Sequence, residues 1–306
     1  MTGAEISYGK LQVPVHRVGV AALHGLPEIP ESPTRSLDTG LLACVVDLEV
    51  LGQGFLPAYT EGDNAKVVAT DTMKNVILRQ ALEYDGATLE GFVDALGRSF
   101  LARYPEMEGL RVSARELPFR PVTVGVGQER SPRLFSLDGG DHAETTIELR
   151  RRDGALALTD QRSGQVGLRL LKTTGSAFTR FARDDDTTLP ERADRPLFVH
   201  LDIHWRYTEP ADAVPGDPSR YVAPAQVRDV ITTVFDAFVS ESIQHLVHEM
   251  GQRLLERFGG LSEVSFVGEN HTHDPVPGSA TGDADGPKAY TSAFPAYGLI
   301  TLTLRR

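Results

Sequence analysis

The chain has 306 residues, 41% of them hydrophobic, which is enough for about two domains that each bury a core. Its formal net charge of -11 argues against a nucleic acid or an acidic membrane as a partner, because no basic field attracts phosphates. The longest apolar runs fall well short of the ~20 residues of a membrane span, so we expect no membrane-spanning segment.

Cysteine usage and the last residues bear on the compartment. The single cysteine, Cys44, excludes an intrachain disulfide, and its apolar neighbours predict a small buried side chain. The sequence ends Leu304-Arg305-Arg306, which is not a peroxisomal address of the Ser-Lys-Leu type. We therefore expect a cytoplasmic protein.

The first half of the chain combines extended and helical patterns. Apolar residues from Leu89 to Tyr104 recur at spacings of three and four, which predicts an amphipathic helix with Thr88 as its N-cap. The other predicted segments are a strand at Leu42–Leu51, an extended run at Val67–Thr70, a helix at Thr72–Tyr84, and strands at Leu110–Leu117 and Val122–Val126.

The second half repeats this order. Leu197, Val199, Leu201, Ile203 and Trp205 alternate with polar residues, which predicts a half-buried strand. The other predicted segments are a strand around Val166–Leu170, helices at Ala225–Val239 and Glu241–Phe258, and strands at Ser262–Val267 and Leu299–Leu304.

Two strands, two helices and two strands, twice over, predict an α+β fold built from two copies of one unit. Each unit would be an antiparallel four-stranded sheet with two helices on one face. The turn signal Leu137-Asp138-Gly139-Gly140 favours a boundary between units 1–138 and 139–306. Pro275–Pro287, rich in Gly, Pro, Ala and Asp, is predicted to be an exposed loop.

Four short segments carry a family resemblance: Tyr8-Gly9-Lys10, Val68–Asn75, Lys172–Phe178 and Ile243-Gln244. Together they resemble the urate oxidase (uricase) family over most of the chain. The resemblance implies two tandem tunnelling-fold units whose sheets join between subunits into barrels. It also implies a homotetramer with active sites shared between subunits. The implied reaction is cofactor-free: urate, dioxygen and water give 5-hydroxyisourate and hydrogen peroxide.

The resemblance assigns catalytic roles to Lys10 and Thr70, the threonine coming from a neighbouring subunit. A lysine acts as a base only if burial or a nearby cation lowers its pKa, and a threonine hydroxyl can relay the proton. Relatives often place a histidine two residues after the asparagine that matches Asn270. This chain has Thr272 there and His273 next to it, so either could be the third relay member.

The resemblance also implies a set of substrate contacts. Arg195 and Gln244 would clamp the edge of the purine through paired hydrogen bonds, and Phe178 would stack on its plane. The backbone amides of Asp71 and Ile243 would supply further contacts, and Asn270 would lie beside the oxygen or water site. Taken singly, Phe178 could instead be a core residue, and Arg195 could pair with Asp194 or Glu191.

Three other functions stay open at this stage. A metal enzyme could use His245, His248 and Glu249, or the run His271-Thr272-His273-Asp274, although the order is not that of the zinc proteases. A pterin-processing enzyme of the same fold would use a glutamate anchor and often zinc. A non-catalytic purine binder would keep the clamp without the relay. No third glycine follows Gly125 and Gly127, so we expect no dinucleotide, and the resemblance implies that no other cofactor is needed.

Overall fold

The computed structural model describes residues 5–125, 129–152, 154–214, 216–280, 288–292 and 295–306. The twelve strands are β1 Ser7–Val18, β2 Leu23–His24, β3 Ser36–Leu37, β4 Leu41–Leu51, β5 Gly109–Glu116, β6 Phe119–Val124, β7 Glu129–Leu137, β8 His142–Arg152, β9 Ala155–Lys172, β10 Leu197–Tyr207, β11 Leu261–His271 and β12 Gly298–Arg305. The five α-helices are α1 Leu56–Thr60, α2 Thr70–Glu83, α3 Leu89–Arg103, α4 Pro224–Ala237 and α5 Ile243–Arg257. Within these ranges no helix is long and apolar enough to cross a lipid bilayer.

Eight strands form one continuous sheet in the order β1-β4-β5-β8-β9-β10-β11-β12. Every pairing in it is antiparallel, and β1 and β12 are its edges. The short strands β2 and β3, and the strands β6 and β7, form two separate two-stranded ribbons. The α+β class predicted from the sequence is confirmed.

The sheet and its helices repeat one pattern. Apart from the short helix α1 and the ribbons, the first half runs β1, β4, α2, α3, β5, β8, and the second runs β9, β10, α4, α5, β11, β12. Each half has its own hydrophobic core between its four strands and its two long helices. The strand order favours a division at the hairpin between β8 and β9; the boundary at 138/139 stays a prediction.

Two segments of the first half differ from their predicted place: one joins no strand, and the other forms a strand outside the large sheet. Residues 67–69 belong to no strand, because the N–H of Val68 donates to the Tyr8 hydroxyl at 2.9 Å and not to a ladder. The Val122–Val126 segment contributes to β6, which pairs only with β7; Val126 itself lies outside the described residues. In the large sheet, β1 and β8 instead complete the four strands of the first half.

The second half agrees with the prediction element by element. The side chains of Leu197, Val199, Leu201, Ile203 and Trp205 are all buried against α4 and α5. Cys44 is fully buried, and this burial raises the pKa of its thiol to about 12, so it packs as a small hydrophobe. Of the predicted Pro275–Pro287 loop, residues 281–287 lie outside the described ranges.

Candidate active site

Lys10 is positioned by close packing between β1 and β4. A Cβ added to Gly9 would lie 2.1 Å from the backbone oxygen of Leu48, so only glycine fits before the lysine. Immediately after Lys10 the ladder is interrupted by a bulge, in which Gln12 has a φ of 59°. The N–H of Gln12 donates to Asp47 Oδ1 at 2.6 Å, which holds the bulge in place.

Thr70 and Asp71 open α2 beside this bulge. The hydrogen bond from Val68 to the Tyr8 hydroxyl fixes the segment before the helix against β1. The N-cap residue, Ala69, offers no side-chain acceptor, so the first-turn N–H groups, including that of Asp71, face outward unpaired. Thr70 is exposed.

Lys10 and the start of α2 lie close together within one chain. The pKa of Asp71 is lowered chiefly by a hydrogen bond from Lys74, at 2.5 Å, and to a smaller extent by the charge of Lys10. The hydrogen bond between Val68 and Tyr8, two residues before Thr70 and Lys10 respectively, places the start of α2 beside Lys10, and we call Lys10, Thr70 and Asp71 the relay group.

The clamp residues are positioned by the segments that flank β9 and β10. Phe178 and Arg192 exchange two backbone hydrogen bonds, at 2.8 and 3.0 Å, and the N–H of Arg195 donates to the carbonyl of Ser176 at 2.9 Å. As a result, the guanidinium carbon of Arg195 lies 5.4 Å from the centre of the Phe178 ring. A cation and an aromatic plane therefore lie at one place on the surface.

Arg195 has no anionic partner among the residues that the structure describes. Asp194, one suggested partner, accepts hydrogen bonds from Thr174 and Gly175, and Glu191, the other, accepts one from the N–H of Arg180. Burial, followed by the nearby charge of Arg192, lowers the pKa of Arg195, and its Nε is buried without an acceptor. Because Arg195 is half-buried and its Nε lacks an acceptor in the described chain, its position is costly unless a ligand or a neighbouring chain supplies one.

Ile243 and Gln244 form the first turn of α5. Ser242 caps the helix by accepting a hydrogen bond from the N–H of His245 at 3.1 Å. The other first-turn N–H groups, including that of Ile243, have no acceptor within the helix. The Ile243 side chain is buried and reaches β11 near Gly268, whereas Gln244 is exposed.

Asn270 lies near the end of β11, two residues beyond Gly268. Its Oδ1 is buried without a hydrogen-bond donor among the described residues. His273 places Nδ1 2.6 Å from the carbonyl of Thr291, and its Nε2 is buried and unpaired. Thr272 is exposed. Arg195, Asn270 and His273 thus each present a buried polar atom that the described chain does not satisfy.

Sequence reasoning missed Phe181, whose ring stacks on that of Phe178 at 4.8 Å and 9°. The only sequence signal is an aromatic residue three positions after Phe178. The ring of Phe181 already covers one face of the Phe178 ring. A planar ligand that stacks on that face therefore has to displace Phe181.

The relay group and the clamp residues do not meet within one chain. In the strand order, β1 is first and β9 and β10, which the clamp residues flank, are fifth and sixth, so four to five steps of about 4.8 Å place the two groups roughly 20–25 Å apart along the sheet. No hydrogen bond, ion pair or ring contact joins the two groups in the described ranges. The predicted residues thus form two half-sites.

Comparison with known proteins identifies the family. The sequence profile of the uricase family matches residues 53–153 and 161–300. A uricase from Haloferax volcanii is 46% identical over 283 residues, covering 91% of this chain and 92% of the relative. A bifunctional uric acid degradation protein from Bacillus subtilis is 38% identical, covering 98% of this chain and 61% of the relative. The chain belongs to the uricase family.

Structural comparison supports the same assignment. The crystal structure of urate oxidase from Bacillus sp. TB-90 superposes with a TM-score of 0.93 at 38% identity, covering 98% of this chain and all of that one. A uricase from Bacillus fastidious gives the same TM-score at 36% identity. The family profile includes Thr70 and all the clamp residues, whereas Lys10 lies before its first matched position.

Proposed function

We propose that the protein oxidises urate with dioxygen and water to 5-hydroxyisourate and hydrogen peroxide, without a cofactor. The observation that carries the proposal is Arg195, a half-buried guanidinium with no carboxylate partner among the described residues, placed over the ring of Phe178. A flat, anionic purine would satisfy both, because its carbonyl edge accepts paired N–H bonds and its plane stacks on the phenyl ring.

The clamp is completed by the start of α5. Gln244 can donate and accept in the plane of the purine, and the free N–H of Ile243 points from a helix terminus that favours negative charge. Asn270, with its unpaired Oδ1, would hold the water or dioxygen above the ring. These contacts fix the urate anion and exclude bulk water from its reactive face.

Lys10 and Thr70 would remove the proton that makes urate electron-rich. The lysine amine takes the proton through the threonine hydroxyl, and the N–H of Asp71 supports the developing anion. Dioxygen then accepts two electrons and leaves as hydrogen peroxide, while water adds to the purine. Of the two candidates for the third relay member, His273 has better support, because its buried Nε2 lacks a partner.

A complete site then needs two chains, because the relay group and the clamp are far apart in one. We propose that a second copy brings its relay group to the clamp, in a homotetramer of tunnelling-fold barrels. The exposed edges of β1 and β12 support this assembly, since unpaired strand edges can pair between copies. Lys10 and Thr70 would come from the same neighbouring chain.

The proposal is tested by following the loss of urate absorbance and the appearance of peroxide with no added cofactor. Lys10→Ala and Thr70→Ala should each lower turnover by ~100-fold or more, because each removes an acid–base participant. Lys66→Ala, which changes an exposed lysine before α2, is the matched control and should retain normal turnover.

The same assay separates the two candidates for the third relay member. His273→Gln should reduce turnover more than Thr272→Ala. Near-normal rates in both Lys10→Ala and Thr70→Ala would show that the relay assignment is wrong. Urate binding without peroxide formation by the unchanged protein would identify a purine binder instead.

A further inference from the structure

A histidine-carboxylate cluster lies on the sheet outside the proposed active site. His200 Nδ1 is 3.1 Å from Glu269 Oε2, and His271 Nε2 is 2.9 Å from the same oxygen. The centres of the two imidazole rings are 4.2 Å apart. In the described ranges this is the one group of three such residues whose ligand atoms all lie within 4.8 Å of one another.

The pairing of β10 with β11 creates this cluster. His200 is directly opposite Glu269, and Phe198 is directly opposite His271, so all four side chains project from the same face of the sheet. Asn270 is paired with Val199 and projects from the other face. The cluster and Asn270 therefore use opposite faces of β11, whereas the ring of His273, beyond the strand, lies 5.9 Å from that of Phe198 on the cluster's side.

The cluster is rigid but open to small ions. The side chains are 26% exposed for His200, 31% for Glu269 and 12% for His271, so solvent reaches all three. Phe198 packs edge-on against His200 at 5.0 Å, and Tyr297 lies 5.4 Å from the ring of His271. These rings restrict the rotation of the imidazoles and exclude part of the water around them.

We propose that His200, Glu269 and His271 form a binding site for one divalent transition-metal cation, such as Zn²⁺, per chain. Two imidazole nitrogens and one carboxylate oxygen suit Zn²⁺, which binds four ligands at about 2.0–2.2 Å. Tetrahedral bonds of that length place the ligand atoms roughly 3.3 Å apart. The two imidazole nitrogens lie at similar distances, 3.1 and 2.9 Å, from Glu269 Oε2. Small side-chain rotations would suffice, and water would take the fourth position.

The cation would fasten β10 to β11 and thereby steady the strand that carries Asn270. It would take no part in urate oxidation, so the inference holds whether or not the proposed function is correct. Since the cation binds the folded chain through residues from two strands, it should raise thermal stability.

The test is isothermal titration of the full-length, untagged, chelator-treated protein with ZnCl₂. We expect about one Zn²⁺ per chain, and His200→Gln and His271→Gln should each weaken binding by at least ~10-fold. Glutamine keeps a hydrogen bond to Glu269, and circular dichroism would verify that the variants fold. His245→Ala, which alters an exposed histidine on α5, is the control and should bind as the unchanged protein does.

Two further measurements make the result decisive. Zn²⁺ should raise the Tm of the unchanged protein and of His245→Ala, but not that of His271→Gln. Co²⁺ should give a visible absorption spectrum that is lost in both glutamine variants. Failure of the unchanged protein to bind, or undiminished binding by both glutamine variants, would overturn the proposal.

Discussion

At the scale of single residues, the informative feature is a set of polar atoms that the fold leaves unsatisfied. Arg195 Nε, Asn270 Oδ1 and His273 Nε2 are all buried without a partner in the described chain. Other buried side-chain atoms of the described chain, among them Gln161 Oε1 and Trp205 Nε1, also lack a partner, so an unsatisfied atom alone does not mark a site. What distinguishes these three is that they belong to residues that the family resemblance assigns to the site. They point to a polar ligand or a neighbouring subunit that supplies the missing partners.

Arg195 provides the residue-scale prediction. Arg195→Ala should raise the KM for urate by about tenfold or more, because it removes a charged hydrogen-bond donor from the clamp. Arg195→Lys should recover only part of this loss, since lysine cannot form the paired N–H contacts. Steady-state kinetics against urate concentration would measure both.

The control for the Arg195→Ala variant is Arg180→Ala, which changes an exposed arginine in the same loop. It should leave the KM unchanged. If Arg195→Ala altered only the melting temperature and left the KM at its normal value, the residue would be structural and the clamp assignment would be wrong.

At the scale of elements, the beginnings of two helices supply the backbone donors of the site. The start of α2 has no side-chain cap, which leaves its first-turn amides free beside Lys10. The start of α5 is capped by Ser242, which takes the N–H of His245, whereas the N–H groups of Ile243 and Gln244 have no acceptor within the helix. The cap thus stabilises the helix without occupying the donors that we propose for the substrate.

Ser242 provides the element-scale prediction. Ser242→Ala should lower the free energy of unfolding by about 0.5–2 kcal/mol, because His245 loses its acceptor. It should also raise the KM for urate, since the first turn that carries Gln244 becomes less ordered. Urea denaturation and steady-state kinetics would measure the two effects.

Ser242→Asp is the matched variant, because aspartate also caps helices well. It should keep most of the stability that alanine loses. Equal stability of the alanine variant and the unchanged protein would mean that the cap contributes nothing.

At the scale of the whole molecule, polar contacts and the continuous sheet join the two halves. Glu90 in α3 is fully buried and accepts hydrogen bonds from Ser163 in β9 and from Tyr221 before α4. Burial raises the pKa of Glu90 above its ordinary value. These contacts hold the helices of one half to the other half, so the two half-sites stay at a fixed separation.

Because the relay group and the clamp are separate in one chain, two different inactive variants should complement each other. Chains carrying Lys10→Ala should have very low turnover alone, and chains carrying Arg195→Ala should have little activity at urate concentrations well below their raised KM. Co-expressed, they should regain activity, because the intact clamp of one variant chain meets the intact relay group of the other. Urate turnover of the co-purified mixture would measure the recovery.

A mixture of Lys10→Ala with Thr70→Ala chains is the control. Both residues lie in the relay group of one chain, so this mixture should stay inactive. Recovery in the control, or none in the first mixture, would contradict a site shared in this way.

The sequence by itself determined the elements whose apolar pattern is strong and local. The alternation in Leu197–Tyr207 and the periodicities of α3, α4 and α5 were sufficient to predict them, because side-chain spacing along one segment decides which face is buried. The motifs around Lys10, Thr70, Phe178 and Gln244 likewise identified the family.

Only the tertiary structure decided which segments pair and which side chains meet. Val67–Thr70 looked extended but joins no sheet, and the partner of Glu269 turned out to be His200, 69 positions earlier in the chain. Strand register depends on contacts between distant segments, which local patterns do not encode. For the same reason, only the strand order revealed that Lys10 and Asn270 lie on the first and seventh strands of the sheet.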